Sequence, residues 1–179
     1  MEPGESIRDQ KRMGLGMMVL AWITLLGLGA VFFGDVLEQQ FNPNQRLETQ
    51  DPEEGMREVV LQRNRFGHYV TSGEINGKAV TFMLDTGATG VAIPDAVAKR
   101  LGIPRGRAYR TQTANGTAVS YAATLDSVAV GDIALNDVQA GIAPGMGIDQ
   151  VLLGMSFLKH IEFTQRGDSL ILRQYAPPS

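Results

Sequence analysis

The hydrophobic and polar positions of this chain fall into three successive regimes. Residues 13–33 form 21 consecutive positions without a charge, and they are apolar all round, not on one face. A helix of that length crosses a hydrocarbon core of about 30 Å, so a single transmembrane helix is predicted over 13–33. The run is longer than the apolar region of a signal peptide, and Gly34-Asp35-Val36 is a poor small-x-small cleavage site, so the span is read as retained. Arg8, Lys11 and Arg12 precede it, while Asp35 and Glu38 follow. The positive-inside rule then places residues 1–12 in the cytoplasm and everything after the span outside it.

The second regime, 34–65, shows no sustained periodicity. It contains Asn42, Pro43, Asn44 and Pro52, and between the apolar run and Met56 its Asp35, Glu38, Glu48, Asp51, Glu53 and Glu54 outnumber the single Arg46. It is predicted to be a flexible acidic linker. From Phe66 the pattern changes to short alternating runs separated by turn signals, which predicts a mainly β domain over 66–175, a sandwich or closed barrel. Runs 69–75 and 78–84 flank Asn76-Gly77, a type I′ hairpin signal. Further hairpins are expected around Asn115-Gly116 and Gly131-Asp132, and the strand pair 161–164 and 169–173 around Arg166-Gly167-Asp168. Pro94 opens a short helix that Gly102 ends, and one or two helical turns are expected at 155–160. Residues 176–179 read as a frayed tail.

Composition narrows the chemistry. The chain has no cysteine, and its only histidines are His68 and His160. Disulfides, thiol nucleophiles and thiolate or histidine metal clusters are therefore not expected, and no cofactor is implied. Residues 66–179 carry nine Lys/Arg and nine Asp/Glu, so nothing there is built to hold nucleic acid. Hydrolytic chemistry in this chain has to rest on carboxylates.

One carboxylate stands out. Val80, Phe82 and Leu84 share a face of a period-2 strand that ends on Asp85-Thr86-Gly87. Gly87 lets the backbone turn so that amide N–H groups face the carboxylate, and the Thr86 hydroxyl can lock two such loops together. A lone solvated carboxylate is a weak base at neutral pH, whereas two held together share one proton and divide the roles of acid and base toward a water. No second Asp followed by Thr/Ser-Gly exists, since Asp126-Ser127 runs into Val128 and Asp168-Ser169 into Leu170. A dyad would need Asp85 from a second copy, in a two-fold homodimer.

These features resemble the retropepsin-like (clan AA) aspartic proteases, in their membrane-anchored bacterial branch. The resemblance rests on the strand into Asp85-Thr86-Gly87-Ala88-Thr89, the hairpin Thr113-Ala114-Asn115-Gly116-Thr117, and Leu152-Leu153-Gly154-Met155-Ser156-Phe157-Leu158. It covers roughly residues 67–173. It implies a retropepsin-like closed barrel behind the transmembrane helix, with Asp85 catalytic and Thr86 and Gly87 shaping its loop. Ala88, Ala114, Asn115, Gly116 and Thr117 would contact a peptide or protein substrate. Met155 stands where retroviral enzymes carry an arginine, as suits the bacterial branch, and 169–173 would correspond to the strand that knits the retroviral dimer. The implied location is the bacterial inner membrane, with the protease domain on its outer, periplasmic side. The competing reading is a catalytically inactive peptide-binding or scaffold module of the same fold. An aspartyl-phosphate enzyme is disfavoured because no strand-helix alternation supplies a phosphate site.

Overall fold

The apolar run forms a single helix, α1 (Pro3–Phe41), in the computed structural model, which describes residues 3–51, 55–113 and 116–175. The segment Met13–Phe41 is long and apolar enough to cross a membrane, and the side chains of Met17, Trp22 and Phe32 on it are exposed. The helix runs on past the predicted end at Phe33. The chain divides into two compact units, Met1–Gln39 and Gln40–Ser179.

The second unit is mainly β. In chain order it contains β1 (Thr49–Gln50), β2 (Met56–Gln62), β3 (Val70–Ile75), β4 (Lys78–Leu84), β5 (Val91–Pro94), α2 (Asp95–Leu101), β6 (Ala108–Thr113) and β7 (Gly116–Val130). It continues with β8 (Ile133–Ala143), β9 (Val151–Leu153), α3 (Met155–Leu158), β10 (Glu162–Arg166) and β11 (Ser169–Tyr175). A seven-stranded sheet has the order β3-β4-β9-β5-β8-β7-β6, and β3 also pairs with β7, which closes the sheet on itself. A four-stranded sheet has the order β1-β2-β11-β10. The side chains of Val59, Leu61, Ile75, Phe82, Leu125, Ile133, Ile142, Leu153, Phe157 and Leu172 are fully buried in one core fed by both sheets.

Local turn chemistry explains the boundaries. Asn76 and Gly77 both have positive φ, 51° and 70°, as the two central residues of a type I′ turn require. Gly102 ends α2 in the left-handed region at φ 75°, and its N–H reaches back to the carbonyls of Ala98 and Lys99. Asp95 opens the same helix beside Lys99 at 2.9 Å and Arg105, and hydrogen bonds from those cations hold its carboxyl below the ordinary carboxylate range. Residues 116–130 form one long strand, β7, and β8 runs beside it in a single register from Tyr121↔Ile142 to Val130↔Ile133.

The reading of 34–65 as a flexible linker is corrected. Asn42, Asn44 and Asn64 are buried at 5%, 4% and 7% exposure. The Asn44 side-chain amide donates to the carbonyls of Gln62 (2.8 Å) and Val70 (2.7 Å), and its Oδ1 accepts from the Gln62 N–H at 2.7 Å. Asn44 thus acts as a strand residue by way of its side chain, satisfying backbone groups that would otherwise be orphaned. Beyond it, β2 lies between β1 and β11 and pairs with β11 from Met56↔Tyr175 to Gln62↔Ser169. The folded unit begins near Gln40, and Asn and Pro here mark a hydrogen-bonded approach instead of a tether.

A second correction concerns the carboxyl-terminal strand. The counterpart of the strand that knits the retroviral dimer, 169–173, lies in β11, and both edges of β11 are occupied within the chain, by β2 and β10. The Arg173 guanidinium near its end bonds Glu58 at 2.6 Å and Glu162 at 3.3 Å.

Candidate functional site

The Asp85 loop is built where β4 leaves the barrel. Val80 and Phe82 point into the core, and β4 runs parallel to β9 through Phe82↔Val151 and Leu84↔Leu153. At the strand end the Leu84 N–H donates to the Tyr69 carbonyl (3.0 Å) and the Asp85 N–H to the Leu153 carbonyl (3.2 Å). The chain then turns sharply. Ala88 N–H donates to the Asp85 carbonyl at 3.2 Å, and Gly87 N–H donates to the Asp85 carboxylate Oδ1 at 2.9 Å. Asp85 is half-buried, while Thr86 and Gly87 are exposed. One carboxylate oxygen is therefore aimed by its own turn, in the manner of an Asx turn, on a loop open to solvent.

Three attachments to one segment hold this loop. Besides the Asp85–Leu153 bond, Met155 N–H donates to the Ala88 carbonyl at 2.9 Å. The Ser156 hydroxyl accepts from Val91 N–H (2.9 Å) and donates to the Gln139 carbonyl (2.8 Å), joining the loop exit to β8. Gly154 lets the two segments approach: a Cβ there would collide with the Gly90 carbonyl and lie 2.6 Å from the Ala88 oxygen. Both obstacles are backbone atoms, so they cannot step aside. Gly154→Ala is accordingly expected to cost about 1–3 kcal/mol of stability by overpacking, measurable as a lower urea midpoint at unchanged slope. An unchanged midpoint would show that the loop can move away without loss.

Thr86 lines a cavity of about 340 Å³ together with Tyr69, Leu84, Leu158, Phe163, Gln165 and Leu170. The Tyr69 hydroxyl is buried and has no hydrogen-bond partner among the described residues. The predicted substrate-contacting hairpin is formed by β6 and β7. Ala114 and Asn115 lie outside the described residues. Gly116, at φ 106°, and Thr117 open β7, and the tip is tied by Thr113 Oγ1 to the Gly116 carbonyl (2.7 Å) and by Thr117 Oγ1 to Gln112 Oε1 (3.0 Å). Asp85, Thr86, Gly87 and Ala88 thus share one loop, while Gly116 and Thr117 stand on a separate hairpin. No hydrogen bond joins the two groups among the described residues. No group of three or more His, Asp or Glu among those residues is placed to hold a metal ion.

Residues given no role from the sequence border the loop: Tyr69, Gly90 and, within the motif at 152–158, the hydroxyl of Ser156. Gly90, so soon after Gly87, was the one readable signal, a second site of close backbone approach. The Ser156 hydroxyl had none, because its partners lie on distant strands.

Comparison with known proteins agrees with this geometry. Residues 71–160 match the family model described as gag-polyprotein putative aspartyl protease. The uncharacterized protein in the cobV 5′ region of Sinorhizobium sp is 36% identical over 124 residues, covering 67% of this chain and 53% of that protein. An uncharacterized protein of Rickettsia prowazekii is 28% identical over 121 residues, covering 66% and 52% respectively. The chain thus spans about half the length of the curated relatives it matches. The crystal structure of a retropepsin-like aspartic protease from Rickettsia conorii superposes with a TM-score of 0.56 at 29% identity, over 73% of this chain and 97% of that one. With the Asp-Thr-Gly turn at the end of a barrel strand and a family match spanning that loop and the segment that braces it, the chain belongs to the retropepsin-like aspartic proteases.

Proposed function

We propose that this protein is a membrane-anchored aspartic endopeptidase that works as a homodimer. The observation that carries the reading is one Asp-Thr-Gly per chain, its Asp85 carboxylate aimed by Gly87 on an exposed loop, with no second such motif to complete it. Two copies related by a two-fold axis bring two such loops together, with the exposed Thr86 hydroxyls bracing one loop against the other. The paired carboxylates hold one proton between them. The ionised one takes a proton from a bound water as that water attacks the peptide carbonyl, and the protonated one gives its proton to the carbonyl oxygen. Collapse of the tetrahedral intermediate returns a proton to the leaving amine and resets the pair.

An extended peptide is bound as an added strand, with Ala88 on the floor and the hairpin residues Ala114, Asn115, Gly116 and Thr117 above it. The apolar run 13–33 of α1 anchors the chain in the bacterial inner membrane, with residues 1–12 cytoplasmic and the protease domain outside. Anchoring also raises the chance that two copies meet, since both are confined to one surface.

A mixing experiment tests the shared site. With a fixed amount of wild-type chain, a roughly ninefold excess of Asp85→Asn chain is expected to lower peptide cleavage about tenfold, because nearly every wild-type chain is then drawn into a mixed dimer. A rate unaffected by the variant would mean that each chain acts alone, and would refute the shared dyad.

A further inference from the structure

A tight turn at 63–68 presents a feature that the protease reading does not use. Phe66 is 56% exposed at the tip of this turn. The turn is preorganised around buried Asn64, whose Oδ1 accepts from the N–H groups of Phe66 (3.0 Å) and His68 (2.9 Å), while its own N–H donates to the His68 carbonyl at 2.8 Å. Gly67 supplies the positive φ, 87°, that closes it. Four constraints therefore hold an aromatic ring out in solvent, where its transfer free energy opposes the arrangement.

The surroundings indicate what the ring meets. The Asn64 side-chain amide donates to the Phe41 carbonyl at 2.9 Å, and the Phe41 and Phe66 rings lie 6.4 Å apart. Phe41 is the last residue of α1, eight residues past the end of the uncharged run at Phe33. The turn is thus fastened to the first residues of the folded unit, which continue the helix that carries the apolar run. Arg65 lies 4.7 Å from the Phe66 ring centroid and bonds Gln40. Among the described residues Arg63 forms its ion pair with Asp168, 83% exposed and 3.3 Å away, a contact of little strength in water. Residues 63–68 contain two arginines and no acid. A phenyl ring flanked by guanidinium groups is a composition that settles at a bilayer interface, the ring at the headgroup/acyl boundary and the cations against lipid phosphates.

We propose that the 63–68 turn is a lipid-contacting element that seats the protease domain on an anionic bilayer surface, Phe66 entering the interface and Arg63 and Arg65 binding headgroup phosphates. This rests on the reading of Met13–Phe41 as a membrane span. It makes the domain a body docked on the membrane, and it favours substrates whose cleavage sites lie close to the lipid surface.

The test uses the full chain carrying Trp22→Phe and Phe66→Trp, so that the only indole is at the tip of the turn, in nanodiscs of phosphatidylglycerol and phosphatidylcholine brominated near the headgroup end of its acyl chains. The expected result is fluorescence quenching of about twofold relative to unbrominated discs, with a blue-shifted emission. Quenching should fall at least by about half when Arg63→Glu and Arg65→Glu are added. A control chain with Trp22→Phe and Val119→Trp, placing the indole at an exposed position of β7, should not be quenched. If the chain co-elutes with the discs but the indole at 66 emits as in water and is not quenched, the lipid contact is overturned while the anchor stands. If the chain does not co-elute with the discs, the anchor reading fails, and this inference with it.

Discussion

Asp85→Asn is expected to reduce kcat for peptide cleavage by at least about 1,000-fold while leaving the fold intact. Asparagine keeps the shape of the side chain and an Oδ1 that can still accept the Gly87 N–H bond of 2.9 Å, so the turn and its attachments to Leu153 and Met155 persist. On the proposed mechanism the shared proton is lost: an amide can neither take a proton from water nor pass one to the carbonyl oxygen. The melting temperature should stay within a few degrees, because an exposed turn contributes little buried area. A variant that cleaves at the wild-type rate would remove Asp85 from the mechanism. A wild-type protein that binds peptides without cutting them, and binds as well after the substitution, would instead identify an inactive peptide-binding module.

The second large effect concerns where the folded unit begins. A chain starting at Gln40 is expected to unfold cooperatively, whereas one starting at Phe66 should aggregate or remain unfolded. The shorter chain lacks β2, and with it Val59 and Leu61, both fully buried, and Met56 at 7% exposure. Burying side chains of this kind is worth about 1.5–3 kcal/mol each, against a total stability of about 5–15 kcal/mol for a domain. Removing β2 also bares the edge of β11 along the whole register from Met56↔Tyr175 to Gln62↔Ser169, and an uncovered edge pairs with other chains. Asn44→Ala in the longer chain grades the effect. It leaves the Gln62 N–H without its acceptor and the Gln62 and Val70 carbonyls without the amide donor, so a loss of about 1–3 kcal/mol is expected. Circular dichroism melts and size-exclusion profiles of the three chains check this, and a 66–179 chain melting at the same temperature as 40–179 would contradict it.

The two corrections to the sequence reading share a cause. Residues 34–65 looked like a tether because Asn, Pro and acidic residues are common in loops, and side-chain amides bonding to distant carbonyls leave no periodic trace. Asn44 meets Gln62 and Val70 only after β2 and β3 have been brought together. Strand β2 itself carries a readable Val59-Val60-Leu61 run, but the acidic residues before it masked the signal. For β11, an alternating strand was legible, whereas the occupancy of its edges was not, since that depends on β2 and β10 being folded beside it.

The parts of the candidate site that were legible are those made by neighbours in sequence. Asp85 and Gly87 bond to each other two residues apart, Asn76-Gly77 turns a hairpin by its own dihedral preferences, and Gly102 stops a helix that ends one residue earlier. Such features arise from local sterics and hydrogen bonding, so residue order alone determines them, as it determines the long apolar helix and the mainly β character of the domain after it. The tertiary structure alone decided what holds the Asp85 loop in place, the contact of Gly154 with Gly90 and the Ser156 hydroxyl between Val91 and Gln139, and it put the start of the folded unit near Gln40 instead of Phe66. The physical reason is that these interactions join segments far apart in the chain, and a hydroxyl, an amide or a missing Cβ acquires its partner only when packing brings the other segment within reach.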